Sequence, residues 1–313
     1  MDGTQPGLFV QPTPPPPPRA ATQTRSARSR RWTAVLLLAA LLSACASGPS
    51  FSPHAHDPLH VKRDRLIALA QAEWVRWGRP YIDLTPEGRQ CRIEPDGRCV
   101  VVQDGCGAEQ SGALCPVVDS YWQVLARVSR SDYRHDCSLT DVCQATRPED
   151  FVPMRTPAWS AGFISALHVQ AGYTPGEFHA SANHADYIVA ARDGRTLGYT
   201  VAPTPAALRP GDLVCATRFA DRPQYGPDDV ARIEPHRWLA HATPMHCDLV
   251  VSVNVRRAEA QAIGGNVQQA VAMTSLQLDR EGRLPSAPQA PGRRWMLVLK
   301  SNAAPAIAEL GLP

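Results

Sequence analysis

The sequence predicts an α+β domain whose N-terminal helices pack on an antiparallel sheet, carried behind an export segment. Three observations point there. Amphipathic helical patterns fill the chain up to about residue 192, and strand-type apolar runs follow from 212 onward, the order expected of α+β rather than alternating α/β chains. Eight cysteines follow Cys45, an even number suited to disulfides in an oxidising compartment. The first 44 residues read as a targeting segment rather than as part of the fold. No internal repeat is visible.

Taken in order, residues 1–24 include the proline run Pro14–Pro18, either a disordered extension or the result of a start codon set too early. Arg28, Arg30 and Arg31 precede the apolar run Thr33–Leu42, which is too short for a bilayer span of about 20 residues. Leu42-Ser43-Ala44-Cys45 resembles a lipobox. The resemblance implies a signal segment over 1–44, cleavage before Cys45, a lipid on that cysteine and a tether over 45–60. Ala46 follows where an aspartate would imply inner-membrane retention, so the resemblance to sorted lipoproteins implies the outer membrane, facing the periplasm.

Residues 61–156 are expected to be a helical, cysteine-rich part. Ile67, Ala70, Trp74 and Trp77 share a helical face over 61–77, and Gly78 is a natural stop. The stretch 79–116 is turn-rich and reads as stapled loop. Val118, Tyr121, Trp122 and Leu125 make the stripe of a second helix over 117–129. Residues 157–302 are the expected core. Pro157 favours a helix start, Phe163, Ile164, Leu167 and Ala171 form its buried face, and Gly172 ends it. A further helix runs from Ala182 to Arg192, with Ser181 as N-cap and Gly194 as stop. Strands follow at Asp212–Thr217, Cys247–Val253, Gln261–Ile263, Val271–Leu278 and Trp295–Leu299, with a tail over 303–313.

Charge narrows the partners. The chain carries +3, but five arginines against Asp2 put +4 ahead of Cys45, leaving the rest near −1. The basic excess belongs to export, and no nucleic-acid footprint remains. The cysteines at issue are Cys91, Cys99, Cys106, Cys115, Cys137, Cys143, Cys215 and Cys247. Proximity along the chain pairs 91–99, 106–115, 137–143 and 215–247, although connectivity is not fixed by sequence. There is no CxxC pair and no histidine at zinc spacing, so no metal and no cofactor is expected.

Candidate chemistry sits in Pro157-Ala158-Trp159-Ser160-Ala161-Gly162-Phe163-Ile164-Ser165, in Pro210-Gly211-Asp212-Leu213-Val214 with His246-Cys247-Asp248-Leu249-Val250-Val251, and in Ile263-Gly264-Gly265-Asn266-Val267. Ser160 falls in the first turn of its helix, where free N–H groups and the dipole stabilise an anion. His246 opens a strand and is the candidate base, with His184 its rival. Asn266 is the candidate orienter of the imidazole, or a turn residue after two glycines. Asp248 shares the strand face of His246. Trp159 reads as core.

These segments in this order resemble the NlpC-type, papain-like cell-wall peptidases and their CHAP amidase relatives. Those proteins open a helix with a cysteine nucleophile and follow it with a Gly-Asp strand and a strand opened by histidine. More closely, the chain resembles the domain-of-unknown-function family 2272 from about Arg65 to Leu299, through PAWSAGFIS, Ser181-x-x-His184-x-x-Tyr187-Ile188, PGDLV, HCDLVV and IGGN. The resemblance implies a papain-like fold with a disulfide-rich insertion. It also implies either an envelope hydrolase acting on an amide bond of peptidoglycan or a catalytically silent binder of peptidoglycan or an envelope protein. Serine replaces cysteine at 160. A serine hydroxyl must lose its proton to the base as it attacks, whereas a thiol can wait as a thiolate.

Overall fold

The computed structural model describes residues 54–83, 90–93, 99–101, 109, 112–129, 132–137, 158–218, 226–236, 242–286 and 294–304. The expected signal segment, Cys45, the tether up to residue 53 and the tail from 305 lie outside them. Four helices precede most of the sheet: α1 (Leu59–Arg76), α2 (Cys115–Ala126), α3 (Ser160–Ala171) and α4 (His184–Arg192). The strands are β1 (Pro80–Asp83), β2 (Gln90–Ile93), β3 (Cys99–Val101), β4 (Tyr199–Pro203), β5 (Ala206–Ala207), β6 (Leu213–Thr217), β7 (Met245–Asn254), β8 (Glu259–Val267), β9 (Ala270–Gln277), β10 (Arg283–Leu284) and β11 (Trp295–Ser301). The α+β expectation holds. No helix among the described residues is long and apolar enough to cross a membrane.

A nine-stranded sheet runs β3-β2-β1-β9-β8-β7-β6-β11-β4. Every pairing is antiparallel except β1 on β9, which is parallel, with Ile82 opposite Thr274. That pairing corrects the reading of 79–116 as loop: residues 80–101 supply three strands to the sheet edge. These strands have three or four residues each, too few for an alternation to stand out, and their partner lies far along the chain. β4 also escaped the sequence reading. The other main strands lie where expected.

The sheet is apolar on both faces, so strand alternation divides the core. Leu213, Cys215, Cys247, Leu249, Leu297 and Leu299 point to the helices. Val214, Ala216, Val250, Trp295 and Val298 point away, into a second cluster with Ala206 and Leu284 of the paired β5 and β10.

The helix that positions the site is α3. It is buried on nearly all sides, as a helix without a polar face must be. It lies between α1 and α2 on one side and β7 and β8 on the other. Missing Cβ atoms permit this. A Cβ at Gly162 would sit 2.8 Å from the Trp122 ring, and one at Gly265 on β8 would sit 2.6 Å from Phe163 Cβ. Gly172 ends α3 at φ 95°, with its N–H and that of Tyr173 capping the last carbonyls. α1 is fastened by buried cations. Lys62 Nζ bonds both carboxylate oxygens of Glu177 (2.9 and 2.7 Å) and Ala55 O, and Arg63 reaches Ala304 O.

Two disulfides join described residues. Cys215–Cys247 links directly opposed positions of β6 and β7, as proximity suggested. Cys115–Cys137 replaces the expected 106–115 and 137–143 pairings. After α2 the chain doubles back, and His135 N donates to Asp119 in the first turns of that helix, so residue 137 arrives beside residue 115. The side chains of Cys91, Cys99, Cys106 and Cys143 lie outside the described residues.

Replacing Gly265 with alanine is expected to cost about 1–3 kcal/mol, the usual penalty for overpacking, seen as a lower urea midpoint. Gly112→Ala, with open space around it, serves as the near-neutral control.

Candidate active site

Ser160 is the first residue of α3, and the residue before it fixes where that helix starts. Trp159 is buried, stacks on Trp77 with ring centroids 5.3 Å apart, and donates its indole N–H to the Glu109 carboxylate. Burial raises the Glu109 carboxyl above its usual range. The first helical hydrogen bond runs from Phe163 N to Trp159 O, so the N–H groups of residues 160–162 sit at the positive end of the helix.

His184 begins α4, and its Nε2 lies 2.7 Å from Ser160 Oγ. Its Nδ1 contacts the Tyr187 hydroxyl, one turn along the same helix face. With the ring proton on Nδ1, the ring donates to Tyr187 and Nε2 accepts the Ser160 hydroxyl, the tautomer a general base requires. Burial, then charge on His246 and on Arg218, holds the His184 imidazole well below its usual pKa, so it rests neutral. Burial, then Asp248 and Asp186, pushes the Tyr187 phenol well above its usual value, so it keeps its proton.

The turn leading into α4 is tied to α3. Ser165 Oγ donates to Ser181 O (2.8 Å) and accepts from Ser181 N (3.0 Å). Ser181 is not the N-cap; Asn183 holds that position, with no side-chain cap. The Ser181 hydroxyl instead donates to Asp186 and accepts from Asn183 N. Ser160 and Ser165, five residues apart on one helix, thus meet the histidine and the turn that presents it.

His246, next to the start of β7, has its Nε2 2.7 Å from Asp248 Oδ1. Both are buried and share a strand face. The His246 and His184 ring centroids are 5.4 Å apart. Gly264 on β8 makes room for the carboxylate, since a Cβ there would lie 1.8 Å from Asp248 Oδ1. Asn266 takes part in neither pair. It sits at φ 55°, where β8 and β9 slip register before the turn at 268–269. The contacts therefore join Ser160 to His184 and His246 to Asp248, with the two histidines side by side.

Sequence reasoning placed Tyr187 and Ser165 in the family-like segments without giving either a role, and did not name Arg218. The i, i+3 spacing of Ser181, His184 and Tyr187 was the available signal, since it places the last two on one helical face. The aspartate of the PGDLV segment has a different task. Asp212 accepts from Arg209 N, Ser301 N and Lys300, fastening the turn before β6 to the end of β11. A cleft of about 540 Å³ opens beside the turn into α4, with Tyr133, Tyr173, Phe178, His179, Asn183 and Asp186 in its walls. Ser160 and His184 do not line it. Among the described residues no group of three His, Cys, Asp or Glu side chains is set to hold a metal.

A family model described as "Uncharacterized protein conserved in bacteria (DUF2272)" matches residues 109–301. The chain belongs to this family. The matched DUF2272 span runs from Glu109, the partner of Trp159, to the end of β11, and contains Ser160, His184, Tyr187, His246 and Asp248. It starts later than the expected Arg65, leaving α1 and β1–β3 outside it. No curated protein and no solved structure matches the chain.

His168 offers a test of this interior. It is fully buried on α3, with Nδ1 2.7 Å from Ile164 O and Nε2 2.9 Å from the Tyr199 hydroxyl. Burial lowers its pKa from 6.5 to about 3. Below 6.5 the unfolded chain binds a proton there that the folded chain refuses, so this contribution to stability is intact above 6.5 and drains away towards 3. His168→Gln is expected to remove up to about 1.4 kcal/mol per pH unit from the slope of stability between about pH 4 and 6, measured by urea unfolding at several pH values. The lowered His184 leaves a residual slope of the same sign.

Proposed function

We propose that this chain is a serine-type hydrolase of the bacterial cell envelope, acting on an amide bond of peptidoglycan. Ser160 is the nucleophile, His184 its general base, and Tyr187 fixes the ring. The observation that carries this reading is the 2.7 Å contact between Ser160 Oγ and His184 Nε2 at the start of a buried helix. A nucleophile and base within hydrogen-bond reach, with the base oriented by a third group, is the arrangement nucleophilic catalysis requires. Attack at a carbonyl would develop an oxyanion beside the N–H groups of the first helical turn, where removing one well-aimed donor typically costs about 100- to 1000-fold.

The base in this reading differs from the sequence expectation. His246 is engaged with Asp248, and His184 meets the serine. A helix-borne nucleophile packed on an antiparallel sheet, with a histidine opening a neighbouring strand, supports a papain-like arrangement in the NlpC sense. The lipobox-like LSAC at 42–45, the near-neutral charge after it and the disulfides support a lipoprotein attached through Cys45 to the outer membrane and facing the periplasm.

A second reading is favoured by burial. Ser160 and His184 are only 1% and 4% exposed, and neither lines the described cleft. On this reading the chain is a silent binder of peptidoglycan or of an envelope protein.

A fluorophosphonate probe separates the two. Labelling of the purified chain is expected at Ser160, abolished by Ser160→Ala, cut at least about 100-fold by His184→Gln and about 10-fold by Tyr187→Phe. A parent chain that takes no label and releases nothing from purified sacculi favours the binder. For the anchor, Cys45→Ala is expected to move the protein from the membrane to the soluble fraction and to end incorporation of labelled fatty acid. Continued lipid labelling in that variant would rule the anchor out.

A further inference from the structure

His246 and Asp248 are left over by a serine, a base and an orienting tyrosine, yet the fold makes room for them. Asp248 is fully buried, and β8 carries glycine at 264, where any side chain would overlap the carboxylate. The residue between His246 and Asp248 on β7, Cys247, is bonded to Cys215 on the neighbouring strand, so the backbone carrying the pair is held on both sides. The His246 ring ends up 5.4 Å, centroid to centroid, from the ring that meets Ser160.

We propose that His246, held by Asp248, is a second catalytic histidine that protonates the leaving group, so that acid and base duties are divided between two rings. The proposal rests on the Ser160–His184 reading. The Asp248 carboxylate at 2.7 Å gives His246 an anion against which to carry a proton. Charge on His246 opposes charge on His184, so the resting pair holds one charge between its two rings. The groups acting around them are Asp248, Arg218 and the Tyr187 hydroxyl.

The steps balance. His184 Nε2 takes the Ser160 hydroxyl proton as the Oγ–C bond forms and the carbonyl π pair moves to oxygen. That pair returns as the bond from carbon to the leaving group breaks, and the leaving atom takes the proton of His246. His184 is now cationic and His246 neutral. Water then attacks the acyl carbon and gives its proton to His246. The C–Oγ bond breaks and Ser160 recovers its proton from His184, which restores the starting state. In the resting state and in the acyl-enzyme one ring carries the charge; in each tetrahedral intermediate both do, offset by the oxyanion and the Asp248 carboxylate.

A leaving group that departs easily has little need of an acid, which yields a test without knowledge of the natural substrate. The measured quantity is kcat/KM, which reports acylation, for p-nitrophenyl acetate and for phenyl acetate. In the full chain carrying His246→Gln, the ratio of the first to the second is expected to rise about 100-fold, within the range for loss of a general acid. Near-UV circular dichroism and the urea midpoint verify folding. Asp248→Asn is expected to move the ratio in the same direction by a smaller factor, and it serves if His246→Gln does not fold. A merely structural role lowers both values by the same factor. An unchanged ratio in a folded variant therefore overturns the assignment of His246 while leaving Ser160 and His184 in place. A parent chain that takes no fluorophosphonate label and turns over neither ester overturns both.

Discussion

Everything at the site depends on how closely α3 lies to the sheet. A buried helix normally keeps a side chain's width from its neighbours, roughly 8–10 Å between axes. Here Gly162 admits the Trp122 ring from α2 and Gly265 admits Phe163 to β8. Trp159 then fills the space at the helix start against Trp77, Tyr121 and Glu109. With α3 pressed in on both sides, its first turn comes level with the ends of β7 and α4. The serine and both histidines converge because of that depth. The same glycines dictate a cost, since close-packed interiors leave a methyl group nowhere to go.

Parts of this were legible in the sequence, and the reasons differ by element. α3 could be bounded because Gly172 ends it with the left-handed conformation that glycine adopts without strain. β6 to β9 and β11 were legible because their apolar runs are long and flanked by turn residues. The β1–β9 pairing was not, since a parallel partner about 190 positions away leaves no local mark. The 115–137 disulfide was hidden for a related reason. The reversal after α2 decides which cysteines meet, and spacing along the chain does not encode that reversal. At the site, Ser160 was legible from its place at a helix start. The choice between two histidines was not, because it depends on the angle at which α4 enters. That angle is fixed by hydrogen bonds between Ser165 and Ser181. The glycines of the IGGN segment read as turn formers, whereas their use is spatial: one faces a carboxylate and the other a phenyl ring.

The electrostatics of this interior follow from the absence of water. Two imidazoles within contact distance, an arginine and a deeply buried aspartate form a small charge system in which adding a proton to one member disfavours it on the next. Tyr187 is part of the balance. Its raised phenol pKa keeps it neutral beside a carboxylate-rich neighbourhood, so it tunes the orientation of His184 without adding charge. A buried network of this kind is rigid when its members are satisfied.

The Cys215–Cys247 bond closes a covalent ring over a separation of 32 residues, and β6 and β7 seal its neck. Insertions or deletions within that ring therefore leave the strand register at His246 unchanged, because the neck is pinned independently of the circumference. A single backbone cut inside the ring leaves both sides of the break joined. The closure thus separates the length of chain between 218 and 244 from the placing of the histidine, while Val230 and Ile233 within it are held by their own burial in the core.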